Sequence, residues 1–425
     1  MTSFYLETFG CKFNKVDSEI IRKVLIEKGY KEAPKNEADF VVINTCGVVE
    51  KTERKITNLS LEIRKTGKKV IFAGCLPRIS PKISQEFSDG MIGPTNILDL
   101  PLVVKKVLKG EKAIFIDPKI IDKASLGIFF KPKNSVVSII QIAEGCLLKC
   151  SYCATKLAKG NLRSFDRDHI LDNIKLSLRQ GSKEIQLTSQ DLAVYGGEKG
   201  GFLLPELLKE ISKIDEKFRV RLGMMSPGFA NRILDELLKI MEDDKFYKFF
   251  HLPIESGSNQ ILRAMGRNYT REEVLFLIKK INQKFELNLL ATDLIVGFPR
   301  ESEKDFKETV SLVKEIKPEI LHIFRYSKRE GTLAANFKDF PDRIKKERSR
   351  ILTKIWLKLI EEKNKRYLNK IFEVLITEKR GNTFLARLPS YKAVVLKEGK
   401  LGEFVKVKIV DSKPNYLIGE IIKNV

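Results

Sequence analysis

Six cysteines are the residues of this chain whose type and spacing promise chemistry, and they fall into two sets of three. Cys146, Cys150 and Cys153 form one CxxxCxxC run, Cys146-Leu-Leu-Lys-Cys150-Ser-Tyr-Cys153. Three thiolates this close can hold three irons of a 4Fe–4S cluster and leave the fourth iron without a protein ligand. A small molecule with an amine and a carboxylate can chelate that open iron. Cys11, Cys46 and Cys75 are far apart in sequence, yet each ends a β-rich run: FYLETFGC, FVVINTC and VIFAGC. In a parallel sheet the C-terminal strand ends lie along one edge, where ligands gather. Three distant thiols can therefore converge on one point, a second three-thiolate site. Packing as small buried hydrophobes is the alternative, and the shared strand-end position argues against it.

These cysteines need a scaffold, and the hydrophobic pattern supplies one. Up to about Lys112 short β-rich runs (Phe4–Phe9, Phe40–Asn44, Val70–Ala73) alternate with helical patterns. One helix is expected over Ser18–Lys28, with Ile20, Ile21, Val24 and Leu25 on one face and Gly29 ending it. This alternation predicts a small parallel sheet covered by helices. From about Val136 the alternation recurs with strands at Val137–Ala143, Glu184–Thr188, Arg219–Gly223, Phe249–Ile254, Leu289–Val296 and Ile320–Phe324. Such a series predicts an open relative of the eightfold barrel, with functional residues at the C-terminal strand ends. Arg343–Lys370 reads as a long basic helix with an apolar stripe of Ile351, Ile355, Leu359 and Ile360. The runs Ile371–Glu378, Thr383–Leu388, Ala393–Leu396, Phe404–Val410 and Tyr416–Ile422 then predict a small five-stranded barrel of the oligonucleotide-binding type. The expected class is α/β, divided as an N-terminal sheet domain 1–112, a connection 113–135, an open (β/α)6 core with its basic helix 136–370, and a C-terminal barrel 371–425.

Composition narrows the partners. With 78 Lys and Arg against 55 Asp and Glu, the formal charge is +23, a field that attracts polyanions such as nucleic acid. The opening MTSFYLETFGCKFNK lacks the charged-then-apolar pattern of a secretion signal, and no apolar run reaches bilayer length. A cytoplasmic protein without a membrane partner is expected, in which disulfides are rare. His169, His251 and His322 pair with no Cys at zinc-finger spacing and read as structural residues. On the C-terminal barrel Lys379, Arg380, Arg387 and Lys392, interleaved with Phe384 and Tyr391, suit phosphate contact and base stacking. Lys345, Lys346, Arg348 and Arg350 of the basic helix are further phosphate-contact candidates.

The CxxxCxxC spacing, Tyr152 before its last Cys and the six βα units together resemble the radical S-adenosylmethionine superfamily. The resemblance implies that the open iron binds S-adenosylmethionine and that one-electron reduction cleaves it to a 5′-deoxyadenosyl radical. By position, Tyr152, Ser189, Gln190, Ser226, Glu255, Ser256, Val296 and Phe298 are the residues expected to contact that molecule. More narrowly, Thr8-Phe9-Gly10-Cys11 through Asn14 to Asp17-Ser18-Glu19, then Asn44-Thr45-Cys46 and Gly74-Cys75-Leu76-Pro77, resemble the N-terminal domain of the methylthiotransferases. The C-terminal barrel is similar to that family's TRAM RNA-binding module, and the likeness spans nearly the whole chain. YCATKLAKGNLRS, HLPIESGSNQIL, TDLIVGFPRESEKDF and Arg329-Glu330-Gly331-Thr332 look closest to the archaeal and eukaryotic tRNA branch.

That branch implies conversion of threonylcarbamoyladenosine at tRNA position 37 to its 2-methylthio derivative, with two 4Fe–4S clusters and S-adenosylmethionine. It also implies an electron donor and a sulfur source that the sequence does not identify. One S-adenosylmethionine would methylate a sulfur held at the Cys11/Cys46/Cys75 cluster. A second would be cleaved at the Cys146/Cys150/Cys153 cluster, and the radical would take hydrogen from carbon 2 of the adenine. Three positions depart from the family pattern: Glu255 where Gln is usual, Lys159 where Arg is usual, and Arg78 where Gln often stands. The same chemistry on isopentenyladenosine tRNA or on a ribosomal protein aspartate is an alternative substrate reading, and the positive charge favours RNA. A non-enzymatic iron–sulfur protein that binds RNA or carries electrons is the alternative of another class. It requires a fully ligated cluster, whereas CxxxCxxC supplies three ligands.

Overall fold

The computed structural model describes residues 1–133 and 135–422. Asn134, within the expected connection, and residues 423–425, within the expected C-terminal barrel, lie outside the described residues. The chain forms two compact units. The first comprises Met1–Phe130, Ala143–His169 and Ser327–Asn336; the second comprises Lys131–Ile142, Ile170–Tyr326 and Phe337–Val425.

The first unit is built on a parallel six-stranded sheet in the order β2-β1-β3-β4-β5-β6. Its strands are β1 (Ser3–Thr8), β2 (Lys31–Glu32), β3 (Phe40–Thr45), β4 (Lys69–Gly74), β5 (Gly90–Ile92) and β6 (Ala113–Phe115). Strand β3 is central and buried throughout, which is why FVVINT reads as an unbroken apolar run. Side-chain alternation sends Phe40 and Val42 to a core with Ile20, Leu25 and Val103, and Val41 and Ile43 to a core with Ile56 and Phe72. Each such fully buried side chain contributes roughly 1.5–3 kcal/mol.

Two expectations change here. The first helix spans Lys12–Glu27 rather than beginning at Ser18. Its first turns bury Asn14, Asp17 and Ser18, polar residues that an apolar periodicity cannot register. The stretch 113–135, expected as a connection, supplies β6 to the sheet edge and places Lys123 in the interior.

The second unit holds two parallel three-stranded sheets, ordered β9-β8-β7 and β10-β11-β12. These strands are β7 (Val137–Gln141), β8 (Glu184–Thr188), β9 (Arg219–Arg221), β10 (Phe249–His251), β11 (Leu289–Val296) and β12 (Ile320–Arg325). Isolated parallel bridges Val220↔Phe246 and Met224↔His251 join the two sheets, so the six strands follow one another as an open barrel wall. The last five strands, β13 (Ile371–Arg380), β14 (Thr383–Arg387), β15 (Ala393–Leu396), β16 (Phe404–Ser412) and β17 (Leu417–Ile421), close into a barrel ordered β13-β14-β15-β17-β16. The α/β class, the parallel sheets and the closed C-terminal barrel all agree with the sequence expectation.

The basic helix spans Asp342–Asn364, and its inner face keeps Ile360 of the predicted stripe, with Ile355 and Leu359 half-buried, but adds charged residues. Ile351 is exposed, while Lys345, Arg348, Leu352, Ile360 and Asn364 are buried. Lys345 Nζ donates to Tyr326 O at 3.0 Å and Asp339 Oδ2 at 2.7 Å, and Arg348 bonds Glu301. Because both cations are neutralised inside the unit, neither is available for the phosphate contact expected of it. Lys346 and Arg350 remain exposed.

Candidate active site

All six cysteines belong to the first unit. Cys11, Cys46 and Cys75 follow β1, β3 and β4, three strands adjacent in the sheet, so their positions share its C-terminal edge. Cys11 is exposed, Cys46 half-buried and Cys75 buried. Burial pushes the Cys46 thiol up and the Cys75 thiol up to about 12, and in each case neighbouring cysteines of the same set add to the rise. Thiols close enough to oppose one another's ionisation suit a shared cationic group.

A frame of motif residues holds these strand ends. Asn14 Nδ2 donates to Phe9 O at 2.9 Å and Thr45 O at 3.0 Å, and Asn44 Nδ2 donates to Asn14 O at 2.8 Å and Ser18 Oγ at 2.9 Å. Thr8 and Ser18 hydroxyls meet at 2.7 Å, and Thr45 O accepts from Cys75 N at 3.1 Å. The backbone turns sharply ahead of the thiols. Gly10 has φ +108°, and a Cβ there would lie 2.9 Å from Cys46 Cβ. Cys11 N-caps the helix Lys12–Glu27, whose N-terminal end favours negative charge.

The CxxxCxxC loop is ordered by its own backbone. Cys146 N donates to Gly160 O at 3.3 Å, Cys153 N to Cys150 O at 3.1 Å, and Leu148 N to Cys146 Sγ at 3.4 Å. Lys156 Nζ bonds Cys146 O and lies within electrostatic reach of all three thiols. Gly145 has φ +86°, and a Cβ there would lie 2.0 Å from Asn161 O, so only glycine lets the loop close on the turn after the helix Ala154–Lys159. Half-buried Cys146, Cys150 and Cys153 around one cation fit a three-thiolate cluster site. Tyr152, also half-buried, sits in the same loop.

Beside these loops lies a buried ionic cage. Lys123 Nζ donates to Asp17 Oδ1 at 2.8 Å and Glu144 Oε1 at 3.0 Å, and Lys159 Nζ to Asp17 Oδ2 at 3.0 Å and Glu144 Oε1 at 2.8 Å. All four side chains are at most 2% exposed. Burial alone would raise the Glu144 pKa, but Lys123, Lys159 and Arg163 reverse it and hold the carboxyl down at about 2.

The other residues expected to contact S-adenosylmethionine are in the second unit, at or beyond the C-terminal ends of β8, β9, β10 and β11. Ser189 and Ser226 are buried and Gln190 half-buried. Ser189 Oγ and Asp191 Oδ2 are buried without a hydrogen-bond partner among the described residues. Two orphaned acceptors at neighbouring positions fit the polar end of a ligand. Asp191 Oδ1 accepts from Ala193 N and Ser226 N at 3.1 Å, and Arg267 Nη2 reaches Ser226 Oγ at 3.3 Å. Glu255 holds φ +73°, unusual for a non-glycine, and pairs with β11 through Glu255 N to Asp293 O at 2.8 Å. Ser256, Val296 and Phe298 are fully buried. Ser256 Oγ engages Thr309, and the Phe298 ring packs edge-on to Tyr326. Two of the three histidines meet on one carboxylate: His251 Nε2 and His322 Nδ1 donate to Asp293 Oδ1 at 3.0 and 2.7 Å.

Burial raises Asp191 from 3.8 to about 6. A carboxyl with a raised folded pKa binds its proton more tightly in the native state, so its contribution to stability is greatest at low pH and is lost as pH climbs from about 4 to 6. The loss amounts to about 3 kcal/mol. Urea unfolding at pH 4.5 and 6.5 should show this fall in the parent and a clearly smaller one in Asp191→Asn; equal slopes would contradict it.

The six residues expected to contact RNA divide by burial. Lys379 and Arg380 are exposed and Phe384 is half-buried, with Lys379 Nζ 5.8 Å from its ring centroid. Tyr391 and Lys392 are buried, which removes them from the expected RNA surface. Tyr391 packs edge-on to Tyr247 and Phe249 at 4.9 and 5.0 Å, and its hydroxyl accepts from Gln186 Nε2 at 3.0 Å. Arg387 is half-buried and lies over the Tyr391 ring at 4.4 Å. Burial pushes the Lys392 amine down to about 8.

The family described as the Radical SAM superfamily matches residues 140–313, the uncharacterized protein family UPF0004 matches 3–93, and the TRAM domain matches 365–422. A protein of Archaeoglobus fulgidus, named a probable threonylcarbamoyladenosine tRNA methylthiotransferase, is 46% identical over 418 residues, 98% of each chain. The chain belongs to the radical S-adenosylmethionine methylthiotransferase family. A more distant relative, the tRNA-2-methylthio-N(6)-dimethylallyladenosine synthase of Thermosipho africanus, is 34% identical over 99% of each chain. Among solved structures, the radical S-adenosylmethionine methyltransferase TsrM of Kitasatospora setae shares the fold, with a TM-score of 0.58 at 13% identity over 79% of this chain and 75% of that one.

For a methylthiotransferase of this family, S-adenosylmethionine and a 4Fe–4S cluster are the implied cofactors. Sequence reasoning missed Asp191, Arg267, Lys123 and Glu144. Asp191 was detectable as an acid three residues beyond a predicted strand end; Lys123 and Glu144 had no local signal, since each gains meaning only from the partner it meets.

Proposed function

We propose that this methylthiotransferase acts on threonylcarbamoyladenosine at tRNA position 37, and that it holds two 4Fe–4S clusters, one on Cys146, Cys150 and Cys153 and one on Cys11, Cys46 and Cys75. The observation that carries the substrate is the grading of identity, 46% to the threonylcarbamoyladenosine relative against 34% to the dimethylallyladenosine one. The second cluster is supported by three cysteines on adjacent strand ends of one sheet, held by the Asn14, Asn44 and Thr45 hydrogen bonds. When bound, the clusters and S-adenosylmethionine supply the one-electron and methyl chemistry. The chain itself supplies thiolates, the turn glycines that aim them, and polar atoms of Ser189, Asp191 and Arg267 that orient a polar ligand end. An external electron donor and a sulfur source complete the reaction.

The test combines anaerobically reconstituted protein with S-adenosylmethionine, dithionite and tRNA carrying threonylcarbamoyladenosine. Mass spectrometry of digested nucleosides should show the methylthio mass increase together with 5′-deoxyadenosine. Deoxyadenosine alone on this tRNA, with product on isopentenyladenosine tRNA, would overturn the substrate assignment.

For RNA contact, Lys379 and Arg380 carry the proposal on the C-terminal barrel. Lys379→Ala should weaken tRNA binding and lower the slope of log affinity against log salt by ~0.7–0.9. Lys392→Met should leave that slope unchanged, because its ammonium is buried.

A further inference from the structure

Lys159 ends the helix Ala154–Lys159 that begins at Cys153, and its ammonium is buried between Asp17 and Glu144. It also lies over the Phe13 ring at 4.3 Å. Cys75 packs in one apolar cluster with Ala154 and Ala158 of that same helix, so the helix that ends in the buried ammonium also covers the buried thiol. Lys123 shares both carboxylates with Lys159, while Arg163 adds a third cation on Glu144 at 3.4 Å. Three cations against two carboxylates leave the cage one positive charge in surplus.

Stability alone does not account for such a cage. Burying each ion costs several kcal/mol, and well-packed apolar residues often serve as well or better. A three-thiolate cluster, by contrast, is anionic and gains charge on reduction. A cation fixed beside it in a poorly screened interior favours the reduced form.

We propose that Lys159 is a positioning charge that raises the reduction potential of the cluster on Cys11, Cys46 and Cys75. The inference rests on the reading that these cysteines hold a cluster. Lys123 belongs to the same cage but sits on the turn Lys123–Leu126, outside the helix that packs on Cys75, and that asymmetry separates an electrostatic role from a structural one.

The experiment uses the full chain with Cys146, Cys150 and Cys153 changed to alanine, so that any remaining cluster sits on the N-terminal set. Iron content and the reduced-state electron paramagnetic resonance signal are read first. Absence of a cluster there would refute the two-cluster reading itself. With the cluster present, a redox titration of Lys159→Gln should show a potential lower by at least tenfold in the one-electron equilibrium, about 59 mV. Lys159→Arg should restore the parent value, and Lys123→Gln should shift it far less. If Lys159→Gln does not fold, Lys159→Met takes its place, and the same downward shift is expected. A cluster whose potential is unmoved in either Lys159 variant, or moved equally by Lys123→Gln, would overturn the proposal.

Discussion

Replacing Cys11, Cys46 or Cys75 with alanine is expected to abolish methylthio transfer while S-adenosylmethionine is still cleaved to 5′-deoxyadenosine. Replacing Cys150 is expected to abolish both. Each loss should exceed about a thousandfold, equivalent to about 4 kcal/mol of barrier. The two sets occupy separate backbone frames: one is closed by the Asn14, Asn44 and Thr45 hydrogen bonds, the other by Cys146 N to Gly160 O and Cys153 N to Cys150 O. Deoxyadenosine and methylthio-nucleoside, quantified in the same reactions, give the readout. Full methylthio product from a Cys46→Ala variant would refute a role for the N-terminal set in the transfer.

Glu144→Leu should destabilise the first unit by about 3–5 kcal/mol, because it leaves two buried ammonium groups sharing one carboxylate. For a unit of this size that corresponds to a fall of about 10 °C in melting temperature. Amide exchange should rise in the helices Lys12–Glu27 and Ala154–Lys159, which carry Asp17 and Lys159. Adding Lys123→Met to Glu144→Leu should recover part of the loss, since Lys159 then no longer shares Asp17 with a second buried ammonium. A Glu144→Leu melt within a degree of the parent would show that the cage does not hold the unit together.

The sequence is most legible where one residue type carries the signal by itself. Cysteine spacing marks both thiol sets, and apolar alternation marks β3, the six strands of the open barrel and the five of the closed one. It is least legible where a charged residue turns inward. Lys345 and Arg348 look like solvent-facing cations, yet they bond Asp339 and Glu301 from the inner face of their helix. Tyr391 and Lys392 look like an RNA surface, yet they are buried, the first against Tyr247 and Phe249. Periodicity scores apolar side chains and assigns polar ones outward. A buried ion satisfied by a partner far along the chain violates that rule without a local trace.

By itself, then, the sequence determined the class, the order of sheets and barrel, and the six thiols, because these follow from short-range pattern and side-chain chemistry. Only the tertiary structure decided that Asp17, Lys123, Glu144 and Lys159 form one cage and that the helix ending in Lys159 packs on Cys75. It likewise decided which basic residues of the barrel and helix remain exposed. The physical reason is the same in each case. The free energy of a buried charge depends on the distance to its counter-charge and on the solvent excluded around both, and neither quantity is a property of a local run of residues.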